Sequence, residues 1–343
     1  MRASDVGRRS ADGRPTATPR KAPPAEPAAP PPRATSPDDA EVEIGGRVVR
    51  LSNPGRVLWP ATGFTKGEMI DYYRAVAPTI LPHLRGRGIT LRRFPEGVDG
   101  PGWYQANCRG RPPWVSTQDV TGRGGETLSY CRIEDEASLV WVANLGTIEV
   151  HPFIGRADLP AEPTALVLDL DPGPPASLVA CSRVALALRD VLAGHGLDSV
   201  VKTSGSVGMH VFAPLRPGYT FGATKAVARA LARLLASREP QLVIDRVTRA
   251  DRAGRVFIDW VQNDESRSTV APYSLRATPW PLVSMPVTWR EVEQAAATGD
   301  AGRLLFRPTD ALRRIELHGD LFEPALRGGG ILPDPAAIAA DPS

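Results

Sequence analysis

Two aspartates one residue apart interrupt an apolar run in TALVLDLDPGPP, residues 164–175, and a third stands in GRVFIDWVQND, residues 254–264. Both runs are rich in Val, Leu, Ile or Phe, and the first stops at a Pro-Gly-Pro-Pro turn, so both read as β-strands. Side chains alternate between the faces of a strand, which puts Asp169 and Asp171 on one face with Val167 and leaves Leu166, Leu168 and Leu170 on the other. By the same rule Phe257, Asp259 and Val261 share a face opposite Val256, Ile258 and Trp260. Two carboxylates roughly 7 Å apart on one strand face repel each other and resist burial unless a cation, a proton or a basic group compensates. Three of them on neighbouring strands make a hard oxygen-ligand set suited to Mg²⁺ or Mn²⁺, and two such ions about 3.5 to 4 Å apart stabilise the attacking and leaving oxygens of a phosphoryl displacement. Taken singly, each aspartate also reads as a water-facing strand end, Asp171 beside Pro172 most of all; the three together favour the metal site.

Between the carboxylate strands lies VKTSGSVGMHVFAPL, in which Ser204, Gly205 and Gly208 form a short loop and His210 opens the next strand. Exposed backbone N–H groups in such a loop cradle anions. A small glycine loop is by itself only a turn; beside a metal site it is where a triphosphate would lie. His151 in TIEVHPF stands in a similar position, although a lone histidine is more often structural. Arg276 in TVAPYSLRA falls on an expected strand, where a guanidinium can clamp phosphate oxygens or make an ordinary surface ion pair.

The elements that must position these residues follow from pattern and punctuation. Residues 1–40 are rich in Pro, Ala and charge and almost devoid of large apolar side chains, so they read as a disordered tail. VEIGGRVVRLSNPGRVLWP begins the folded part as two short strands around a Gly-Gly turn. Thr65 and Glu68 have the spacing of a capping box, so a helix begins there with Lys66 in its first turn. From about residue 164 the order is strand, helix (176–194), strand (199–203), glycine loop, strand (210–215), helix (223–237) and two further strands, followed by TVAPYSLRA as another strand and TWREVEQAAATG as a short helix ending at a glycine. Alternation of this kind implies an α/β (α+β) layer whose strand ends form a site.

Composition sets wider bounds. The chain has 343 residues, 42% of them hydrophobic, enough for one large domain or two small ones. No apolar run is long enough for a membrane span, and the N-terminus lacks a hydrophobic signal core, which points to the cytoplasm. The net charge is +3, of which residues 1–40 supply +2 through seven Lys/Arg against five Asp/Glu. The body is thus nearly neutral, and any nucleic-acid site must come from local clustering. Only four of the 41 basic residues are lysines, Lys21, Lys66, Lys202 and Lys225. Cys108, Cys131 and Cys181 form no CxxC pair and read as free thiols in a reducing compartment.

LVLDLDPG, VKTSGSVGMHV, GRVFIDWVQN and STVAPYSLRA, in this order and spacing, together with LSNPGRVLWPATGFTK upstream, closely resemble the polymerase domain of bacterial DNA ligase D, a branch of the archaeo-eukaryotic primase superfamily. The resemblance covers about residues 43–295. It implies a primase-polymerase core of mixed and antiparallel strands with packed helices, preceded by a smaller N-terminal α/β part, with the domain over 41–300 and a C-terminal extension over 301–343. With no ligase or phosphoesterase motif in sight, the chain looks like a stand-alone version. The implied activity is template-dependent nucleotidyl transfer in non-homologous end joining: gap filling and end extension by a two-metal mechanism with Mn or Mg. Implied partners are double-stranded DNA ends, gapped DNA bearing a 5′-phosphate, NTP or dNTP, Ku and a separate DNA ligase, with no membrane and a place at the nucleoid. Carried over by residue, Asp169, Asp171 and Asp259 are the metal ligands, and His151, Ser204, Gly205, His210 and Arg276 meet the incoming nucleotide. Asn53, Arg56 and Lys66 hold the 5′-phosphate of the downstream strand, and Trp103 and Tyr104 stack on the template. Val207 stands where relatives commonly carry Lys, and WYQAN lacks a Lys often found after the aromatic pair.

One rival is a phosphatase of the haloacid dehalogenase type, whose Asp-x-Asp strand end uses the first Asp as nucleophile. That motif wants Thr or Val where this chain has Gly173 and expects a later acidic pair. A DNA-end scaffold without catalysis is disfavoured because all three carboxylates are intact.

Overall fold

The computed structural model describes residues 39–122, 125–246 and 252–341. The expected tail thus lies, up to residue 38, outside the described residues. The described chain opens with the hairpin β1 (Ala40–Ile44) and β2 (Arg47–Leu51). Its turn is Gly45-Gly46 with φ of +58° and +76°, the left-handed pair that a two-residue hairpin loop requires and glycine supplies without strain. A second small hairpin, β3 (Val57–Trp59) with β4 (Phe64–Thr65), leads into α1 (Lys66–Leu84). The capping box is present: Thr65 Oγ1 accepts from the Glu68 N–H, and the Glu68 carboxylate accepts from the Thr65 N–H.

The first sheet is made of β5 (Gly88–Arg93), β6 (Trp103–Gln105), β7 (Thr117–Thr121), β8 (Thr127–Arg132) and, beyond α2 (Glu136–Asn144), β9 (Thr147–Pro152). All its pairings are antiparallel, with β5 central against β6, β8 and β9. Cys108 follows β6 and its N–H donates to the Ser129 carbonyl of β8 at 2.7 Å, which brings it against Cys131. The two form a disulfide across Cα atoms 4.9 Å apart, and Cys181 is the free, buried thiol. The free-thiol reading therefore fails for Cys108 and Cys131, because a loop folding back on a strand makes a pairing that local spacing cannot reveal.

The second sheet carries the aspartates. It contains β10 (Ala165–Pro172), then, after α3 (Leu178–Gly194), β11 (Val200–Thr203) and β12 (Met209–Pro214), then, after α4 (Phe221–Arg238), β13 (Val243–Ile244) and β14 (Val256–Asp259). A hairpin of β15 (Leu275–Ala277) and β16 (Pro281–Val283) precedes β17 (Pro286–Val287), which closes the order β13-β14-β10-β12-β11-β17. Among the described strands of this sheet only β13 and β14 run parallel. The alternation on β10 is as expected: Leu166, Leu168 and Leu170 enter the main core, whereas Val167 joins a small separate cluster with Ile154, Ala165 and Phe221.

Two expected strands are shorter than their sequence pattern. GRVFIDWVQN is a strand only to Asp259, where a 3-10 helix over Trp260–Asn263 takes over. Its carboxylate caps that turn by accepting from the Val261 N–H at 3.0 Å. Where the ladder would have continued, the Asn263 amide takes both backbone groups of Val167, accepting at 3.0 Å and donating at 2.7 Å. Val261 thus shares no strand face with Asp259. In TVAPYSLRA only Leu275–Ala277 is strand, since Tyr273 has φ +63° and breaks the extended run.

The short helix α5 (Trp289–Thr298) ends at Gly299 in the left-handed region. It is followed by α6 (Pro308–His318), α7 (Pro324–Arg327) and α8 (Pro335–Ala339). Residues 301–341, set apart in the sequence as an extension, bury Leu304, Phe306, Ala311 and Ile338 in the main core. Asp320 binds Tyr273 Oη at 2.7 Å and His83 Nε2 at 2.8 Å. Among the described residues no helix is long and apolar enough to cross a membrane.

Candidate functional site

Antiparallel register decides which charges meet. In the second sheet Lys202 of β11 pairs with His210 of β12, His210 with Asp169 of β10, and Asp169 with Asp259 of β14. Directly opposed residues project to the same face, so these four form one transverse row. Lys202 Nζ lies 2.7 Å from His210 Nδ1, and His210 Nε2 lies 3.1 Å from Asp169 Oδ1. Asp171, one rung on, pairs with Phe257; Arg252 Nη1 approaches its carboxylate at 3.7 Å while lying over the Phe257 ring.

The row perturbs its own ionisation. Burial works against the Asp169 carboxylate, but the charges of His210, Lys202 and Arg276 prevail and hold its pKa below the ordinary range. Asp259 is raised, by burial and then by the charge of Asp169. Burial, followed by the neighbouring Lys202, pushes His210 down to about 4 despite Asp169. Lys202 is fully buried and depressed well below the usual lysine range, by burial and then by Arg276. Among the described residues no group of three or more His, Cys, Asp or Glu side chains is assembled to hold a metal ion as it stands. The expected three-carboxylate cluster is therefore aligned by register but not converged. Each carboxylate has turned to another partner: Asp169 to His210, Asp259 to the Val261 N–H, Asp171 to Arg252.

The glycine loop is tighter than an open cradle. The Ser206 and Gly208 N–H groups both donate to Ser204 Oγ, at 3.2 and 3.1 Å. Two of the donors expected to face an anion are thus spent on the serine. Gly205 has φ +71°, and a Cβ there would meet Arg276 Cγ and the Val283 carbonyl carbon, both at 2.6 Å; only glycine lets the loop lie on β15 and β16.

A second row crosses the first sheet. Tyr104 of β6 pairs with Arg92 of β5, and Arg92 with Glu149 of β9. Glu149 has no exposed side-chain surface, yet Arg92 Nη1 lies 2.7 Å from it, His151 Nε2 2.8 Å, the Ala277 N–H 3.0 Å and Arg276 Nε 3.5 Å. Burial opposes its charge, but the His151 hydrogen bond and the charges of Arg276 and Arg92 overcome this and bring its pKa to about 2. His151 is lowered, chiefly by burial, with Glu149 opposing. Tyr104 stands edge-on to His151 with ring centroids 5.6 Å apart and remains 58% exposed. Trp103, its strand neighbour, projects to the other face and packs with Arg93, so the structure sets only Tyr104 of the aromatic pair beside His151. Arg276 joins the rows, touching Glu149 on one side and lying against Gly205 on the other.

Asn53, Arg56 and Lys66 do come together around the SNPGR turn, where Asn53 has φ +48°. Lys66 is nearly buried and its Nζ donates to Ser52, to the carbonyl at 2.5 Å and to the hydroxyl at 3.1 Å. Arg56 pairs with Glu96 at 2.9 Å and donates to the Pro95 carbonyl at 3.0 Å. The first helical N–H groups are not awaiting an acceptor: Lys66 donates to the Arg56 carbonyl, Gly67 to the Pro54 carbonyl and Glu68 to Thr65. The turn itself caps the helix, so positive charge at this end comes from the helix dipole and the Arg56 and Lys66 side chains.

Lys202, Glu149 and Arg92 are the members of the two rows that the motif reading missed. Lys202 and Glu149 carry the signal that revealed the aspartates, a charge inside an apolar strand; Arg92 is legible only through its partner.

The chain as a whole has known relatives. Residues 65–322 match the family described as LigD, primase-polymerase domain. The chain belongs to the LigD primase-polymerase family. The multifunctional non-homologous end joining DNA repair protein LigD of Mycobacterium tuberculosis (strain H37Rv) is 40% identical over 285 residues, which is 80% of this chain and 36% of that protein. The bifunctional non-homologous end joining protein LigD of Bacillus subtilis (strain 168) is 26% identical over 80% of this chain and 43% of its own length. The chain therefore spans little more than a third of the M. tuberculosis relative. The solved polymerase domain of M. tuberculosis ligase D, in complex with DNA, superposes with a TM-score of 0.76 at 37% identity, covering 81% of this chain and 98% of that domain. The LigD match reaches Phe322, past the expected domain end at residue 300. The chain is thus a nucleotidyltransferase domain of the DNA-directed primase-polymerase type, of the kind carried by end-joining repair proteins.

Proposed function

We propose that this domain adds nucleotides to DNA ends and gaps in non-homologous end joining, copying a template strand. The observation that carries the reading is the direct opposition of Asp169 and Asp259, flanked by His210 and next to Asp171. Two carboxylates facing each other across a strand pair, one raising the other's pKa, form an oxygen-only donor set whose repulsion a hard divalent cation relieves. Asp169, Asp171 and Asp259 would hold two such ions, Mn or Mg, which when bound supply positive charge to the phosphoryl oxygens and to the attacking 3′-hydroxyl.

The chain's own groups do the rest. Arg276 and His210 donate to the triphosphate of an incoming NTP or dNTP, with the Ser204 hydroxyl beside them in the glycine loop. His151, held by Glu149, borders the nucleotide, and the exposed Tyr104 ring offers a stacking face to the templating base. Trp103 takes part only as support from the far side of its strand. Asn53, Arg56 and Lys66 engage the 5′-phosphate beyond the gap. A Ku-type end-binding protein and a separate ligase are the proposed partners, and the nucleoid is where such work is done.

The test is metal-dependent extension on a gapped duplex with Asp259→Asn. Asparagine keeps a cap for the Val261 N–H but removes the charge, so extension should fall by about a hundredfold or more while binding to DNA ends persists. Near wild-type extension would remove Asp259 from the machinery and the proposal with it.

A further inference from the structure

Lys202 is a fully buried charged group and has no assigned part in nucleotide transfer. Its ammonium makes two contacts, to His210 Nδ1 at 2.7 Å and to Ser284 Oγ at 2.8 Å. We infer that Lys202 is a positioning residue for nucleotide binding: by donating to Nδ1 it acts with Asp169 to hold the His210 ring in the Nε2–H tautomer, and so keeps His210 a one-way hydrogen-bond donor aimed at the carboxylate and triphosphate side of the row. The inference deepens the proposed function and rests on its reading of His210 as a triphosphate contact.

The argument is one of donors and acceptors. The Asp169 carboxylate 3.1 Å from Nε2 can only accept, so Nε2 carries the proton. On the other side of the ring, the Ser284 hydroxyl gives its proton to the Thr203 carbonyl at 3.1 Å and can therefore only accept from Lys202. The lysine nitrogen has a proton for each of its two acceptors whether it is an ammonium or an amine, so it donates to Nδ1 as well. Nδ1 is then an acceptor and the ring a single tautomer. Thr269 Oγ1, 3.4 Å from the same nitrogen, is a second and longer donor to it.

Position makes the contact rigid. Lys202 and His210 are cross-strand partners in β11 and β12, and Ser284 is anchored on one side by backbone bonds, donating to the Ser274 carbonyl and accepting from the Tyr273 N–H, and on the other by its hydroxyl to Thr203. A ring fixed at one nitrogen by a backbone-anchored donor has its other N–H pre-aimed, the arrangement that orients catalytic and metal-bound imidazoles in general. A buried lysine is a costly way to fill core volume, and an apolar side chain would do that better. Its presence makes sense if its donor is needed.

The experiment uses Lys202→Met and reads two quantities. The first is the tautomer of His210, from long-range ¹H–¹⁵N spectra of the ligand-free protein; the chain has only five histidines, so the ring signals are assignable with His210→Ala as reference. Wild type should show the Nε2–H form alone, and Lys202→Met should add the Nδ1–H form. The second is nucleotide use on a gapped duplex: KM should rise by roughly tenfold, the worth of one charge-assisted hydrogen bond, with kcat less affected. Ser284→Ala, which removes one anchor of Lys202 without touching the histidine, should give a weaker version of both effects and serves if Lys202→Met folds poorly. An Nδ1–H ring in wild type, or a tautomer and KM unmoved in both variants, would overturn the inference. If instead His210→Ala leaves nucleotide use unchanged, the nucleotide reading of His210 falls, and the spectra still decide whether Lys202 sets the ring.

Discussion

Glu149→Gln is the substitution whose consequences the structure fixes most closely. The carboxylate is fully buried, accepts hydrogen bonds from Arg92, His151 and the Ala277 N–H, and forms a longer ion pair with Arg276. Glutamine fits the same space and can still accept from one or two of them, but it leaves two guanidiniums in a poorly solvated site without their shared counter-charge. Removing one partner of a buried ion pair costs about 3 to 5 kcal/mol. Arg92 keeps 28% of its side chain in solvent, which places the expected loss at the lower end, about 3 kcal/mol. Linkage gives a similar figure: the gap between the ordinary value of 4.5 and the pKa of about 2 in the folded protein, at about 1.4 kcal/mol per pH unit, is again about 3 kcal/mol.

The sign and the pH window follow. A depressed carboxylate pKa stabilises the fold in full above pH 4.5 and loses that contribution as the pH falls towards about 2. Wild type should therefore lose stability steeply below pH 4.5, and Glu149→Gln should already lack this part at neutral pH, with a flatter acid limb. In thermal denaturation at pH 7 the loss is roughly 6 °C or more. Because the same carboxylate holds His151 and Arg276, KM for the nucleotide should rise about tenfold on a gapped duplex. A variant as stable as wild type from pH 7 down to pH 3 would refute the energetic argument; a destabilised variant with unchanged KM would refute the placement of His151 and Arg276 at the nucleotide.

Two other outcomes are expected. Lys66→Ala should weaken use of gaps bearing a 5′-phosphate by about tenfold, the loss of one charge-assisted contact, and scarcely alter gaps ending in a 5′-hydroxyl; equal effects on the two substrates would reduce Lys66 to an anchor of the Ser52 turn. Reduction of the Cys108–Cys131 bond, which closes a loop of sequence separation 23, should lower stability by about 3 kcal/mol. A melting temperature indifferent to reductant would show that the bond does not form in the native protein.

Much of the site was legible because strand alternation is local. Val167, Asp169 and Asp171 separate from Leu166, Leu168 and Leu170 on β10 as the pattern requires, and the capping box of Thr65 and Glu68 opens α1 where expected. What alternation cannot supply is register. That Asp169 faces Asp259, and that Lys202 stands behind His210, depends on how distant strands are aligned, and a slip of one residue would send every side chain to the other face. The same limit hid the Cys108–Cys131 pairing and the engagement of Arg56 by Glu96. The strand reading of WVQN failed for a different reason: Asp259 bonds its own turn and Asn263 substitutes for the missing ladder, a local competition between side chain and backbone that apolar content conceals.

The two rows together explain why charges are tolerated here at all. Along the second sheet, Asp169 and Asp259 share their row with one cation, Lys202, whose own protonation burial and Arg276 disfavour; Arg267 and Arg252 act on Asp259 from outside the row, and Asp171 has a distant Arg252. That row has an excess of negative charge. Along the first sheet, a single Glu149 stands against both Arg92 and Arg276, an excess of the opposite sign. Arg276 lies at the seam, shifting Asp169, Lys202 and His210 in one row and Glu149 and His151 in the other. Two partly buried rows of opposite imbalance are a poor way to stabilise a fold, because each leaves a charge incompletely compensated. They suit a ligand that is itself divided, with cations at one end and phosphate oxygens at the other. A nucleoside triphosphate carrying divalent metal has that polarity, and bound between the rows it would complete both.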